Sequence, residues 1–121
     1  MGSHDDEIRL ENVQAQMRKG VLEYCILLVI ARGDQVYASD ILSALKTSNM
    51  IVVEGTIYPL LSRLNRAEYL KYNWVESPAG PPRKYYSLTD RGREALQQMN
   101  DQWVAFTTSI NELRDAHEKD A

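Results

Sequence analysis

The apolar positions change period several times along the chain, and each change marks a new element. Leu10, Val13 and Met17 recur at three-four spacing, and the pattern turns almost wholly apolar through Cys25-Ile-Leu-Leu-Val-Ile30. A helix over residues 8–31 is predicted, half polar at its start and core-forming at its end. Gly20 is its weak point, where the helix either starts late, near Met17, or breaks. Gly33, in Arg32-Gly33-Asp34, stands where a C-terminal cap belongs. A second helix is predicted over residues 37–47, with Ile41, Leu42 and Leu45 facing inward. Ala38 or Ser39 lies in its first turn, where Asp40 complements the helix dipole. Thr47-Ser-Asn-Met50 reads as a turn, and Ile51 and Val52 lead into a third helix.

The rest of the chain is arranged around that third helix. Val53, Ile57, Leu60, Leu61 and Leu64 make one apolar stripe, and Thr56, Tyr58, Pro59, Ser62, Arg63 and Arg66 occupy the opposite side. Pro59 lacks a backbone donor and is disfavoured inside a helix, so the helix is expected to begin only just before it. A short helix with one apolar side and one side of hydroxyls and guanidiniums suits a DNA major groove. There Arg meets guanine edges or phosphates, and Ser and Thr donate to either. On this stretch alone, an amphipathic core helix with a solvated outer face fits as well.

From Leu70 the period falls to two. Leu70, Tyr72 and Trp74 share one face of a strand, and Lys71 and Asn73 the other. Ser77-Pro-Ala-Gly-Pro-Pro82 is expected to be loop throughout, with Arg83-Lys-Tyr-Tyr-Ser-Leu88 a second strand. Two short helices and a turn followed by a hairpin make a winged helix-turn-helix, with the second short helix as reader. Arg83 and Lys84 would then reach phosphates or a minor groove, their alternative being a solvated hairpin shoulder. Tyr37 and Ser39, where the second helix begins, are assigned to the same expected DNA face.

Thr89 caps a final helix, with Asp90 in its first turn. Leu96, Met99, Trp103, Phe106, Ile110 and Leu113 follow intervals of 3, 4, 3, 4 and 3, a heptad seam. A helix from Thr89 to about Glu118 would be about 45 Å long, more than a small domain can cover. The surplus seam calls for a twofold-related copy or folds back on the first helix, and both can hold. The expected fold is mainly helical (α+β). Residues 1–4 read as an expression scar, residues 5–88 as a winged helix-turn-helix with a two-stranded wing, and residues 89–121 as a dimerisation helix.

Composition narrows the function classes. A chain of 121 residues, 44% hydrophobic and 26% charged, is one globular domain rather than a disordered segment. No apolar run is long enough to span a membrane and no leader is visible, so the cytoplasm is the expected compartment. Cys25 is the only cysteine, which excludes an internal disulfide and a cysteine-rich metal site. Its apolar neighbours raise its pKa and shield it, which favours core packing over a redox switch. The net charge of -3 hides a division: residues 1–31 carry -2, residues 32–93 carry +3 and residues 94–121 carry -4. Cationic charge gathered in the middle leaves nucleic-acid binding open despite the acidic total.

Three stretches together resemble the PadR family of bacterial transcription regulators. They are Val53-Glu-Gly-Thr-Ile-Tyr-Pro-Leu-Leu-Ser-Arg-Leu64, Gly80-Pro-Pro-Arg-Lys-Tyr-Tyr-Ser-Leu-Thr-Asp-Arg-Gly92 and the aliphatic helix ahead of Gly33. The resemblance implies a dimeric winged-helix repressor of a palindromic operator, in the compact subgroup with a single C-terminal helix. It assigns Thr56, Tyr58, Pro59, Ser62 and Arg63 to the reader helix, and Arg83, Lys84 and Tyr85 to the wing. It places the last helix, around Trp103, at the dimer interface. In some small members, aromatics on that helix line a pore for flat hydrophobic ligands. Trp103, with Met99 and Phe106, is the candidate here, unless it only fills the interface. Glu54 departs from an expected cationic surface: it either steadies the helix N-terminus or accepts from a cytosine amino group.

No cofactor, metal or catalytic residue is expected. His4 and His117 lack companions, no nucleophile spacing is present, and Gly80 sits among prolines rather than in a phosphate cradle. The rival functions are a winged helix that binds protein rather than operator, and a ligand carrier with no role on DNA.

Overall fold

Gly20 decides how the chain begins. In the computed structural model, which describes residues 13–33, 35–50 and 52–120, the first helical stretch is two pieces. These are α1 (Val13–Arg18) and α2 (Leu22–Ile30), with the Val21 N–H bonded back to the Arg18 carbonyl at 3.0 Å. The break at the glycine therefore holds, while the expectations placed on residues 1–12, Asp34, Ile51 and Ala121 lie outside the described residues. Leu22, Ile26, Leu27 and Ile30 of α2 are buried, and they form the floor of the core.

A two-residue strand that the sequence pattern did not announce follows: β1 (Val36–Tyr37), leading directly into α3 (Ala38–Thr47). Asp40 accepts the Tyr37 N–H at 2.9 Å and so satisfies a donor at the start of α3. The helix ends in a Schellman turn. Asn49 takes a left-handed φ of 62°, while the Asn49 and Met50 N–H groups return to Lys46 and Leu45. Gly33 does not adopt that conformation, so it is no glycine cap; the left-handed positions fall on Asn49 and Glu68 instead.

The next helix, α4 (Glu54–Arg66), begins five residues before Pro59 rather than just ahead of it. Pro59 removes one hydrogen bond and crowds the carbonyl of residue 55, a cost of about 3 kcal/mol in an ordinary helix. Ile57, Leu61 and Leu64, all essentially inaccessible, offset that cost by anchoring the helix on both sides of the proline. Val53 stands outside the stripe as the exposed N-cap residue. A second Schellman turn closes α4, with Glu68 at φ 66° and the Tyr69 N–H returned to the Leu64 carbonyl.

The wing is β2 (Leu70–Ser77) and β3 (Gly80–Leu88), antiparallel, with only Pro78 and Ala79 between them. The expected six-residue loop is thus mostly strand. Pro81 and Pro82 are tolerated because β3 has one neighbour there, and the register slips between Val75 and Ser77. Nearer the body β1 pairs with the other edge of β3, so the sheet has three strands in the order β1-β3-β2.

Finally α5 (Asp90–Asp120) extends for 31 residues, about 46 Å. Its capping is as expected: the Thr89 hydroxyl accepts the Gly92 N–H at 2.9 Å and itself donates to the Glu68 carbonyl. Ala95 is buried and Leu96 and Met99 pack against the core, but past Asn100 nearly every described position of α5 is exposed. One cluster drawn from α2, β1, α3, α4 and the wing base forms the interior, with no buried polar or charged side chain among the described residues.

Candidate nucleic-acid interface

The burial of Ile57, Leu61 and Leu64 fixes which side of α4 faces outward. At 100° per residue, Gly55, Pro59, Ser62 and Arg66 lie opposite that stripe, and all four are exposed. Thr56 and Arg63 form one flank and Tyr58 the other. The Arg63 flank faces α2, where the Arg63 guanidinium meets the Glu23 carboxylate at 2.8 Å. Tyr58 lies on the wing side, and its hydroxyl donates to Glu54 at 3.2 Å, an interaction that pushes the phenol pKa up. Glu54 is thereby engaged within its own helix, one turn from Tyr58.

The wing presents two faces. Val36, Tyr86, Leu88, Leu70, Tyr72, Trp74 and Lys84 belong to the inward face by register, and Tyr37, Tyr85 and Arg83 to the outward one. The inward face outruns the core: Leu70 is buried, Tyr72 is 40% exposed and Trp74 63% exposed. Lys84 lies over the Tyr72 ring at 4.2 Å and the Trp74 ring at 5.4 Å. On the outward face Arg83 stacks over Tyr37 at 3.8 Å and donates to the Ser39 hydroxyl at 2.8 Å. Tyr37 and Tyr85 meet edge to face at 6.1 Å.

Five of the residues expected on the DNA face meet at one cleft between α3, α4 and the wing, while Thr56, Pro59, Ser62 and Arg66 lie along the exposed side of α4 and do not line it. Tyr37, Ser39, Tyr58, Arg83 and Lys84 line the cleft, together with Trp74 and Tyr86. Arg63 lies on the far flank of α4, and Tyr85 is held under Tyr37. Sequence reasoning missed the exposure of Trp74, because alternation gives a face without saying where the core beneath it ends. It also missed Glu23, forty residues from its partner Arg63.

On α5, Trp103 approaches the Tyr24 ring of α2 at 6.2 Å, and the Tyr24 hydroxyl donates to Asn100 at 2.6 Å. The first part of the seam thus folds back on its own chain, and Phe106, Ile110 and Leu113 remain exposed. Burial pushes the Cys25 thiol up, as its neighbours implied. Among the described residues no group of His, Cys, Asp or Glu is placed to hold a metal. No helix among them is long and apolar enough to cross a membrane.

A short helix with a polar outer side, packed on a second short helix and flanked by a hairpin, defines the winged helix-turn-helix class, a DNA-binding fold. Comparison with known proteins narrows the class. Residues 26–98 match the transcriptional regulator PadR-like family, and the chain belongs to that family of transcription regulators. A PadR-like transcription factor from Bacteroides fragilis is 50% identical, with a TM-score of 0.71 over 84% of this chain and 98% of that one. A PadR-like regulator from Bacillus cereus is 39% identical, with a TM-score of 0.70 over 81% and 95%. Bacillus subtilis PadR, whose structure was solved in complex with operator DNA, is 27% identical, with a TM-score of 0.60 over 65% of this chain and 46% of that one.

Proposed function

We propose that this chain is a dimeric repressor that binds a palindromic operator through α4 and the wing, as a regulator confined to the cytoplasm. The observation that carries the reading is the polar outer side of α4 lying beside the cationic wing. Thr56, Ser62 and Arg66 are free to enter a major groove, with Arg63 available once it leaves Glu23. The exposed Trp103, Phe106, Ile110 and Leu113 supply the surface for a second copy. Residues 5–88 thus act as the DNA-binding unit and residues 89–121 as the dimerising one. Two half-sites about 10 bp apart, centre to centre, are expected.

Selection from a random duplex pool, followed by a mobility-shift assay on the purified protein, tests this. Recovery of one shared palindrome supports it, and recovery of none, or capture of a protein with no duplex, overturns it in favour of a protein-interaction module. A planar aromatic ligand held by Trp103, with Met99 and Phe106 beside it, would change the spacing of the two reader helices. Quenching of Trp emission by planar dyes, with release of bound duplex, is the expected result. Quenching with no duplex bound at all would leave only a ligand carrier, and quenching that leaves duplex binding unchanged would overturn release by ligand.

A further inference from the structure

The wing carries two cations in sequence, and the structure gives them different occupations. Arg83 and Lys84 point to opposite faces of β3. Arg83 is engaged with α3: its guanidinium covers the Tyr37 ring and donates through Nη2 to the Ser39 hydroxyl, two contacts that compete with any move toward a phosphate. Tyr37 is itself paired through β1 to Tyr85, so the Arg83 group ties the hairpin to the start of α3. Lys84 is on the face that continues toward α4, beside an indole left mostly in solvent. A large exposed aromatic beside a cation, next to a reader helix, is complementary to a sugar–phosphate strand. The ammonium meets the phosphate and the ring lies against deoxyribose or base.

We propose that Trp74 and Lys84 form the wing's DNA-touching pair, seating one sugar–phosphate strand of the operator in the cleft beside Tyr58, while Arg83 is a positioning residue that fixes the wing's angle. This assignment rests on the operator-binding reading above. The two failures are separable in one sample, the full-length protein carrying fluorotryptophan, mixed with the selected duplex. Two fluorine signals are expected from the two tryptophans, Trp74 being identified by loss of its signal in Trp74→Phe. A Trp74 signal that shifts as the mobility-shifted complex saturates supports the proposal. A saturated complex with the Trp74 signal unmoved overturns it alone, and no complex at all overturns the operator reading with it. A Trp74 signal that moves with protein concentration in the absence of DNA assigns the indole to self-association and also overturns it.

Salt dependence separates the two cations. Lys84→Ala should flatten the slope of log affinity against log salt by about 1 per site. Arg83→Ala should weaken binding severalfold with the slope unchanged, and Trp74→Ala should weaken it about tenfold or more. A slope reduced by Arg83→Ala and not by Lys84→Ala would reverse the assignment.

Discussion

Helices α4 and α5 are both amphipathic, and both leave one side uncovered, but they leave opposite kinds of side. α4 buries Ile57, Leu61 and Leu64 and shows solvent Thr56, Ser62 and Arg66. α5 uses its apolar positions on its own domain as far as Trp103, which meets Tyr24 yet stays 44% exposed, and leaves Val104, Phe106, Ile110 and Leu113 more exposed still. A polar face is at ease in water and becomes useful only when a patterned polar ligand arrives. An apolar face is at a disadvantage in water from the start. Returning about half of each of those five side chains to apolar contact, on two copies, is worth on the order of 10 kcal/mol before association costs. The same periodicity thus encodes a surface that is finished and one that is not, and only the chemistry of the outward residues separates them.

The sharpest way to break the comparison is to make the second face resemble the first. Ile110→Glu combined with Leu113→Glu should leave the helical circular-dichroism signal intact while light scattering reports a monomer. Operator affinity should then fall about a hundredfold or more through lost bivalency. Retention of a dimer would show that another surface joins the copies.

Gly92→Ala strikes the junction of the two helices. A Cβ there would lie 2.0 Å from the Tyr69 carbonyl oxygen, a backbone atom that cannot step aside. Thermal unfolding should show a loss of about 2–3 kcal/mol, whereas Gly55→Ala, with open space around it, should not destabilise through any clash.

Arg66→Ala should disturb only the polar face, flattening the salt slope of operator binding by about 1 for each half-site with the melting temperature unchanged. The smallest effect expected is a gain. Glu68→Gly relieves a left-handed residue at the cost of one exposed ion pair to Arg91, and should stabilise by about 1 kcal/mol in chemical denaturation.

What could be foreseen from the sequence followed the reach of its periodicities. The stripe of α4, the alternation from Leu70 and the heptad of α5 each repeat often enough to be read. β1 has two residues and therefore no period, and only its pairing with Tyr85 and Tyr86 makes it a strand. Pro59 misplaced the start of α4 because propensity weighs the lost hydrogen bond and not the three anchored side chains around it. Pro81 and Pro82 misplaced the wing tip because a strand with one neighbour can dispense with donors on its other edge. At the site, residue types were legible but their engagements were not. Arg83 to Ser39 and Arg63 to Glu23 are contacts between residues 44 and 40 positions apart, which only the tertiary arrangement creates.

The seam where α4 ends and α5 begins has a mechanical consequence. The Thr89 side chain bonds the Glu68 carbonyl, the Thr89 N–H bonds the Tyr69 carbonyl, and Gly92 lets the two backbones touch. No slack tether separates the two helices; they are welded at one point, and α5 leaves it as a lever several times longer than the joint. A few degrees of tilt at that weld would sweep the far end through several ångströms, and a small push at the far end would turn the whole head.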